Sequence, residues 1–274
     1  MKHLHLKKVI LDNINENNIT TIAVSGGIDS ITLATFSNLL KPSLINIAHA
    51  ISDAVPKEAT KRVNKLAKKF NWKLYILNAN EINDPKYKQN PYNRCYFCKD
   101  NLYKTIKAEI NTDLIFSGTN IDDLNDYRPG LKAAKLSNIR HPFIEANFNK
   151  TDIRKLANKI GLEEYADIPA SPCLASRIET GIPISKKLLN GIEIIEKNIK
   201  KLIPKSDVRC RWMNSKVNIQ FKSPHIKDIT DNQKNKIIND VHNIFLINKN
   251  KIKFSEYKIG SAFTPKIGME IKSE

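Results

Sequence analysis

The sequence predicts an α/β fold, a doubly wound parallel sheet joined to a smaller C-terminal α+β domain, and three observations predict it. Short apolar, β-branched runs alternate with helical patterns in units of about 25 to 35 residues, the rhythm of strand–helix–strand crossovers. The first run ends on a glycine pair that leads straight into a helical pattern. After Gly130 the pattern changes to an amphipathic helix, a loop rich in Pro, Ala and Ser, and strands of hairpin type.

Taken in order, Thr21-Ile22-Ala23-Val24 reads as a strand closed by Gly26 and Gly27, and Asp29-Ser30-Ile31-Thr32-Leu33-Ala34 opens a helix. Residues 44–48 form a second buried strand. In residues 55–70 the apolar positions 55, 59, 63, 66, 67 and 70 line one helical face. A third strand over 72–77, a helix over 98–110 and a fourth strand over 113–116, closing at Ser117-Gly118, complete a parallel sheet with helices on both faces. Residues 150–160 are an amphipathic helix stopped by Gly161, and 167–180 (DIPASPCLASRIET) have the composition of a linker or active-site loop. Ser185 caps a helix running to about Leu202. Residues 208–212 and 216–221 pair as a hairpin about Asn214-Ser215, and a helix near 231–244 and a strand near 251–257 follow. The domain division is placed at 1–180 and 181–274, the second domain serving substrate or oligomer contacts.

With 274 residues, 41% apolar and 27% charged, the chain has the composition of a folded protein and not of a disordered or fibrous one. No apolar run reaches about 18 residues, and the N-terminal segment has no signal-peptide core, so a cytoplasmic protein without membrane contact is expected. The net charge of +17 points to a polyanionic partner such as nucleic acid, or to the bias of a Lys-, Asn- and Ile-rich chain. Residues 181–274 carry 19 Lys and Arg against 9 Asp and Glu, or +10 of that total.

The chemistry concentrates in a few strings. In Ser25-Gly26-Gly27-Ile28-Asp29-Ser30 small residues let backbone N–H groups turn inward as an anion nest, and the following helix adds its positive end. The string resembles the PP-loop of N-type ATP pyrophosphatases, of the HUP-like α/β class. That resemblance implies a PP-loop domain over 1–180 that cleaves ATP between the α and β phosphates, holds pyrophosphate with Mg²⁺, and passes AMP to a substrate oxygen. Asp29 is the carboxylate suited to the Mg²⁺.

Four cysteines in so long a chain are no disulfide framework. Cys95 and Cys98 sit about one turn apart at a helix start, where the dipole, Arg94 and Lys99 favour thiolates, and Cys173 lies in the Ser171-Pro172-Cys173-Leu174-Ala175-Ser176-Arg177 loop. Three thiolates suit a 4Fe-4S cluster with one open position. Zinc with His141 or His49 as fourth ligand is the rival, and three unrelated thiols the plain alternative. Cys210, in an alternating strand, reads as core. Arg128 is a candidate clamp for a substrate phosphate or carboxylate and Lys99 a phosphate contact. Arg177 is placed to neutralise a cluster or a phosphate. Arg209 and Arg211 share one strand face, either for a nucleotide phosphate or as an exposed basic face.

Gly118 followed by Asn125-Asp126-Tyr127-Arg128-Pro129-Gly130, with the 25–30 loop and the cysteine loop at 170–177, resembles the LarE family of ATP-dependent sulfurtransferases over residues 9–211. The resemblance implies thiolation of pyridinium-3,5-biscarboxylic acid mononucleotide in nickel-pincer nucleotide biosynthesis: a carboxylate is adenylated, AMP leaves, and sulfur takes its place. Some members sacrifice a cysteine sulfur. Others have three cysteines holding a 4Fe-4S cluster, and Cys95, Cys98 and Cys173 put this chain with them, with sulfide or another sulfur donor as partner. A homo-oligomer is implied as well. The chain departs from the family pattern at Ile178-Glu179-Thr180-Gly181, where an aromatic-Pro-Tyr-Gly string is usual, and after about Lys222. A cluster-dependent tRNA thiolation enzyme of the same class is the alternative.

Overall fold

The computed structural model describes residues 2–14, 19–112, 114–125, 127–170, 172–204, 206–222, 226 and 229–257. Asp126 and Ser171 of the quoted strings, and Asp113 of the expected fourth strand, lie outside them. In chain order the elements begin α1 (Lys2–Asn13), β1 (Thr20–Ala23), α2 (Ile28–Leu40), β2 (Ile45–Ala50), α3 (Lys57–Lys69), β3 (Lys73–Leu77) and α4 (Pro85–Lys88). They continue with α5 (Arg94–Glu109), β4 (Leu114–Ser117), α6 (Gly130–Leu136), α7 (Pro142–Glu145), α8 (Lys150–Lys159) and α9 (Glu163–Ala166). The last are α10 (Lys186–Leu202), β5 (Val208–Met213), β6 (Lys216–Phe221), α11 (Asp231–Phe245) and β7 (Ile252–Glu256).

The chain forms two compact units, Met1–Glu81 with Asn93–Ser171, and Ile82–Tyr92 with Pro172–Glu274. Segments 82–92 and 172–180 thus group with the second unit, although a division at residue 180 puts them in the first. Hydrogen bonds explain the grouping. The Asn90 side-chain amide donates to the carbonyls of Glu179 (2.8 Å) and Ile182 (2.9 Å), the Gly181 amide donates to the Asn90 carbonyl, and Ile184 N–H donates to Lys88.

In the first unit the described residues make a four-stranded, all-parallel sheet of order β3-β2-β1-β4. Successive strand side chains alternate between two apolar layers, as a doubly covered sheet requires. Ile22, Ile47 and Phe116 pack with Leu6 and Ile10 of α1, Ile31 of α2, Val63 and Leu66 of α3 and Ile153 of α8. Their neighbours Ala23, Ala48 and Ile115 pack on the other side with Tyr103 and Ile106 of α5 and Ala134 of α6. The predicted α/β architecture is therefore present.

The second unit has a smaller mixed sheet, β5-β6-β7. β5 and β6 are antiparallel about Asn214 and Ser215, both with positive φ (45° and 58°), which is the backbone a two-residue hairpin loop demands. β7 is parallel to β6 and is reached through α11, since a parallel neighbour needs a crossover. Ser185 caps α10 by accepting from Leu188 N–H at 3.3 Å, and Leu189, Ile192, Ile195 and Ile199 are its buried stripe.

Candidate active site

β1 has β2 on one side and β4 on the other, so the strand order reverses beside it. Loops leaving the carboxyl ends of β1 and β4 therefore open into one crevice, the place where doubly wound sheets bind ligands. The first of these loops is 25–30 and the second begins at Gly118. They touch: a Cβ on Gly118 would lie 2.8 Å from Ser30 N, so only glycine lets β4 end against the first turn of α2. Gly26 has φ +83° and fits against Ala59 of α3, whose carbonyl oxygen a Cβ would meet at 2.9 Å.

Within the loop, Ser30 Oγ donates to the Gly27 carbonyl (3.0 Å) and accepts from Ser25 N–H (3.2 Å), which folds the loop back on the helix start. Gly27 caps α2 with no side-chain hydrogen bond. The first amides of α2 and the positive end of its dipole are thus left to an anion.

A wall of polar groups stands behind the loop. His49, fully buried at the end of β2, bonds the Val24 carbonyl through Nδ1 (2.8 Å) and Thr60 Oγ1 through Nε2 (2.9 Å). A carbonyl only accepts, so Nδ1 carries the proton and Nε2 accepts. Both ring nitrogens are engaged, so His49 is not a zinc ligand, contrary to the sequence-based candidate. Arg62 of α3 donates from Nη1 to the Gly26 carbonyl at 2.5 Å.

In front, Asp29 on the first turn of α2 meets Lys150 Nζ at 2.5 and 2.7 Å. Burial pushes the Asp29 carboxyl pKa above its ordinary value, with the Lys150 charge opposing. Lys150 opens α8, where Asn149 and Asp152 form a capping box, and its backbone N–H donates to Asp122 Oδ2 at 2.8 Å. Asp123 pairs with Arg128 at 2.6 Å and its charge is felt at Asp29. Asp29, Asp122, Asp123, Arg128 and Lys150 thus share the mouth of the crevice.

Cys95 lies in the first turn of α5 and Cys98 at the start of the second, and the helix starts at Arg94 and not at Cys98 as the sequence periodicity has it. Lys99 follows, its Nζ 5.9 Å from the Tyr103 ring centroid, and Gly130 at the start of α6 leaves room for the Lys99 stem: a Cβ there would sit 3.0 Å from Lys99 Cγ and 3.5 Å from the Cys95 carbonyl oxygen. Burial holds the His141 imidazole pKa below its ordinary value, and the Lys99 charge adds to this.

Cys173 belongs to the second unit. It precedes the 3₁₀ turn Leu174–Arg177 and its carbonyl accepts from Ser176 Oγ (2.8 Å) and Arg177 Nη1 (3.2 Å). Cys95, Cys98 and Cys173 are half-buried thiols outside any disulfide, whereas Cys210 is fully buried and its pKa is pushed well up by burial. Cys210 is core, as its alternating strand suggests. The donor chemistry of the other three fits a thiolate-bound metal group. Among the described residues of either unit, no three His, Cys, Asp or Glu side chains gather closely enough to hold a metal ion.

The three candidate arginines of the second unit are buried. Arg177 is 3% exposed and forms a two-pronged pair with Glu196 (2.9 and 3.1 Å), whose Oε1 also accepts the Cys210 backbone N–H at 2.9 Å. Arg209 pairs with Asp207 at 2.5 Å, and Arg211 bonds Gln220 Oε1 and the Ser176 carbonyl. Both lie against the Tyr257 ring, 5.5 and 5.8 Å from its centroid. The shared face is therefore real, and it is not an exposed basic face.

No family model matches the chain. Among curated proteins, an uncharacterized protein of Methanocaldococcus jannaschii is 31% identical over 247 residues, 87% of this chain and 90% of the relative. An uncharacterized protein of Synechocystis is 34% identical over 185 residues, 66% of this chain and 68% of the relative. The pyridinium-3,5-bisthiocarboxylic acid mononucleotide synthase of Lactiplantibacillus plantarum is 29% identical over 213 residues, 76% of each. The chain belongs to the same family as the Methanocaldococcus and Synechocystis proteins.

The crevice has two residues that sequence reasoning passes over, Lys150 and Arg62, and a third, His49, that it reads only as a candidate zinc ligand. Lys150 looks like an ordinary surface lysine, and only its place after a capping Asn149 marks it as fixed. Arg62 is one cation among many in α3. His49 is one of two polar residues, with Asn46, in the buried strand β2, which signals a satisfied hydrogen-bond pair more than a ligand. No helix of the described residues is long and apolar enough to cross a membrane.

Proposed function

We propose that the protein is an ATP-dependent sulfurtransferase that converts a carboxylate of a pyridinium mononucleotide to a thiocarboxylate. The observation that carries this reading is the uncapped 25–30 loop at the switch point of the sheet, with Asp29 and Lys150 at its mouth. The name of the Lactiplantibacillus relative supplies the substrate class.

A carboxylate resists nucleophiles because it is charged and has no leaving group. Attack of its oxygen on the α-phosphorus of ATP forms a C–O–P bond and expels pyrophosphate, which removes the charge and installs AMP. The loop amides and the α2 dipole receive the pyrophosphate. Asp29 would face the Mg²⁺ that accompanies ATP, which neutralises phosphate charge, and Lys150 is freed from Asp29 to meet a phosphate oxygen. Sulfide then attacks the acyl carbon, a C–S bond forms, the C–O bond to AMP breaks, and AMP leaves with that oxygen. Cys95, Cys98 and Cys173 would hold a 4Fe-4S cluster, which when bound supplies an open iron able to carry a sulfide. Arg177 keeps the Cys173 turn in shape through Glu196 and the Pro172 and Cys173 carbonyls.

Anaerobic incubation with ATP, Mg²⁺, sulfide and the biscarboxylate mononucleotide is expected to yield AMP, pyrophosphate and a product with sulfur in place of one oxygen. Protein purified anaerobically is expected to carry about four irons per chain, lost on Cys95→Ala, Cys98→Ala or Cys173→Ala. A folded protein that makes no AMP with this acceptor sinks the reading. The net charge of +17 favours a second acceptor class, tRNA, for the same activation chemistry.

A further inference from the structure

We propose that Arg62 is a positioning residue of the phosphate loop that also supplies cationic charge to the pyrophosphate end of ATP. The proposal rests on reading residues 25–30 as the ATP loop. Three observations carry it.

The first is geometric. Arg62 Nη1 holds the Gly26 carbonyl at 2.5 Å from the α3 side. In a planar trans peptide the carbonyl and the following N–H point in opposite directions. Drawing the Gly26 carbonyl toward α3 therefore turns Gly27 N–H inward, where it reaches only a long 3.4 Å contact with Ser25 Oγ. An anion in the loop is the better acceptor for that amide.

The second is electrostatic. Arg128, Arg140, Arg177 and Arg209 each have a carboxylate partner. Among the described residues no carboxylate pairs with Arg62, and the nearby Glu58 is bonded to Lys61. Burial pulls the Arg62 pKa down, with Tyr165 and Glu58 opposing only at a distance. A half-buried guanidinium without a counter-ion, beside a loop built from small residues, is matched by a bound phosphate.

The third is donor count. A guanidinium has five N–H donors, and one is committed to Gly26.

Titration calorimetry with magnesium pyrophosphate and, separately, with AMP tests the proposal on the wild-type chain and on Arg62→Gln and Arg62→Ala. Gln keeps a donor for Gly26 and removes the charge. Both variants are expected to bind pyrophosphate about tenfold more weakly, with AMP affinity hardly changed and the melting temperature of the Gln variant close to wild type. Equal weakening of AMP and pyrophosphate, or undiminished pyrophosphate binding by Arg62→Gln, overturns it. A folded wild-type chain that binds neither ATP nor pyrophosphate overturns the loop reading itself, and the role of Arg62 with it.

Discussion

His49 is a neutral imidazole locked between a carbonyl acceptor and a hydroxyl donor, directly behind the residue that begins the 25–30 loop. Protonating it takes away the acceptor that Thr60 uses and places a charge in a buried site. Burial accordingly pulls its pKa below the ordinary 6.5, the Val24 carbonyl opposing. The unfolded chain gains this proton first as pH falls, so the His49 contribution to stability is complete above about pH 6.5 and declines below it toward the depressed folded value. Urea unfolding across that window is expected to be less pH-dependent in His49→Asn than in wild type. An unchanged pH slope would count against the assignment. Sequence alone could not place this residue, because its two partners come from the residue just after β1 and from α3. Arg177 presents the same difficulty: its position four residues after Cys173 suggests a ligand-facing charge, but Glu196, on a helix 19 residues later, claims it. What a short motif does carry is local geometry, and Ser25, Gly26, Gly27, Asp29 and Ser30 form the loop their residue types imply.

The elements themselves were largely readable from periodicity. The apolar set 59, 63 and 66 is the buried stripe of α3, and the Ser185 cap and the Asn214-Ser215 turn lie where the sequence puts them. The exceptions have physical causes. α1 buries only Leu6 and Ile10, too thin a stripe to stand out, and α5 starts at Arg94 because Cys95 and Tyr96 satisfy a helix as well as a loop. The order β3-β2-β1-β4 rests on non-local pairing and leaves no local trace. Element ends also have work to do at the crevice. The Asn149–Asp152 capping box fixes the turn that holds Lys150, so Asn149→Ala is expected to cost about 1 kcal/mol of stability and to raise the KM for ATP. Denaturant titration and initial-rate kinetics read the two effects, and a stability loss with unchanged KM would separate Lys150 from ATP binding.

For the whole molecule, the charge of +17 distinguishes the two acceptor classes. With a mononucleotide, binding is expected to weaken only modestly as salt rises. With single-stranded RNA, log K should fall against log salt with a slope of about −0.7 per phosphate contacted. A steep slope for the productive acceptor would move the assignment to RNA. The buried arginine faces of the second unit show that part of this charge is spent inside the fold, since Arg177, Arg209 and Arg211 are almost wholly covered.

The interleaving of the two units has a consequence for biosynthesis. Residues 82–92 leave the ribosome long before residues 172–184, which supply the hydrogen-bond partners of Asn90 and Lys88. Meanwhile 93–171 emerge, including β4, which pairs with β1, while the partners of Asn90 and Lys88 are still to be made. All residues of the first unit are therefore synthesised before most of the second, and Cys95 and Cys98 are made long before Cys173.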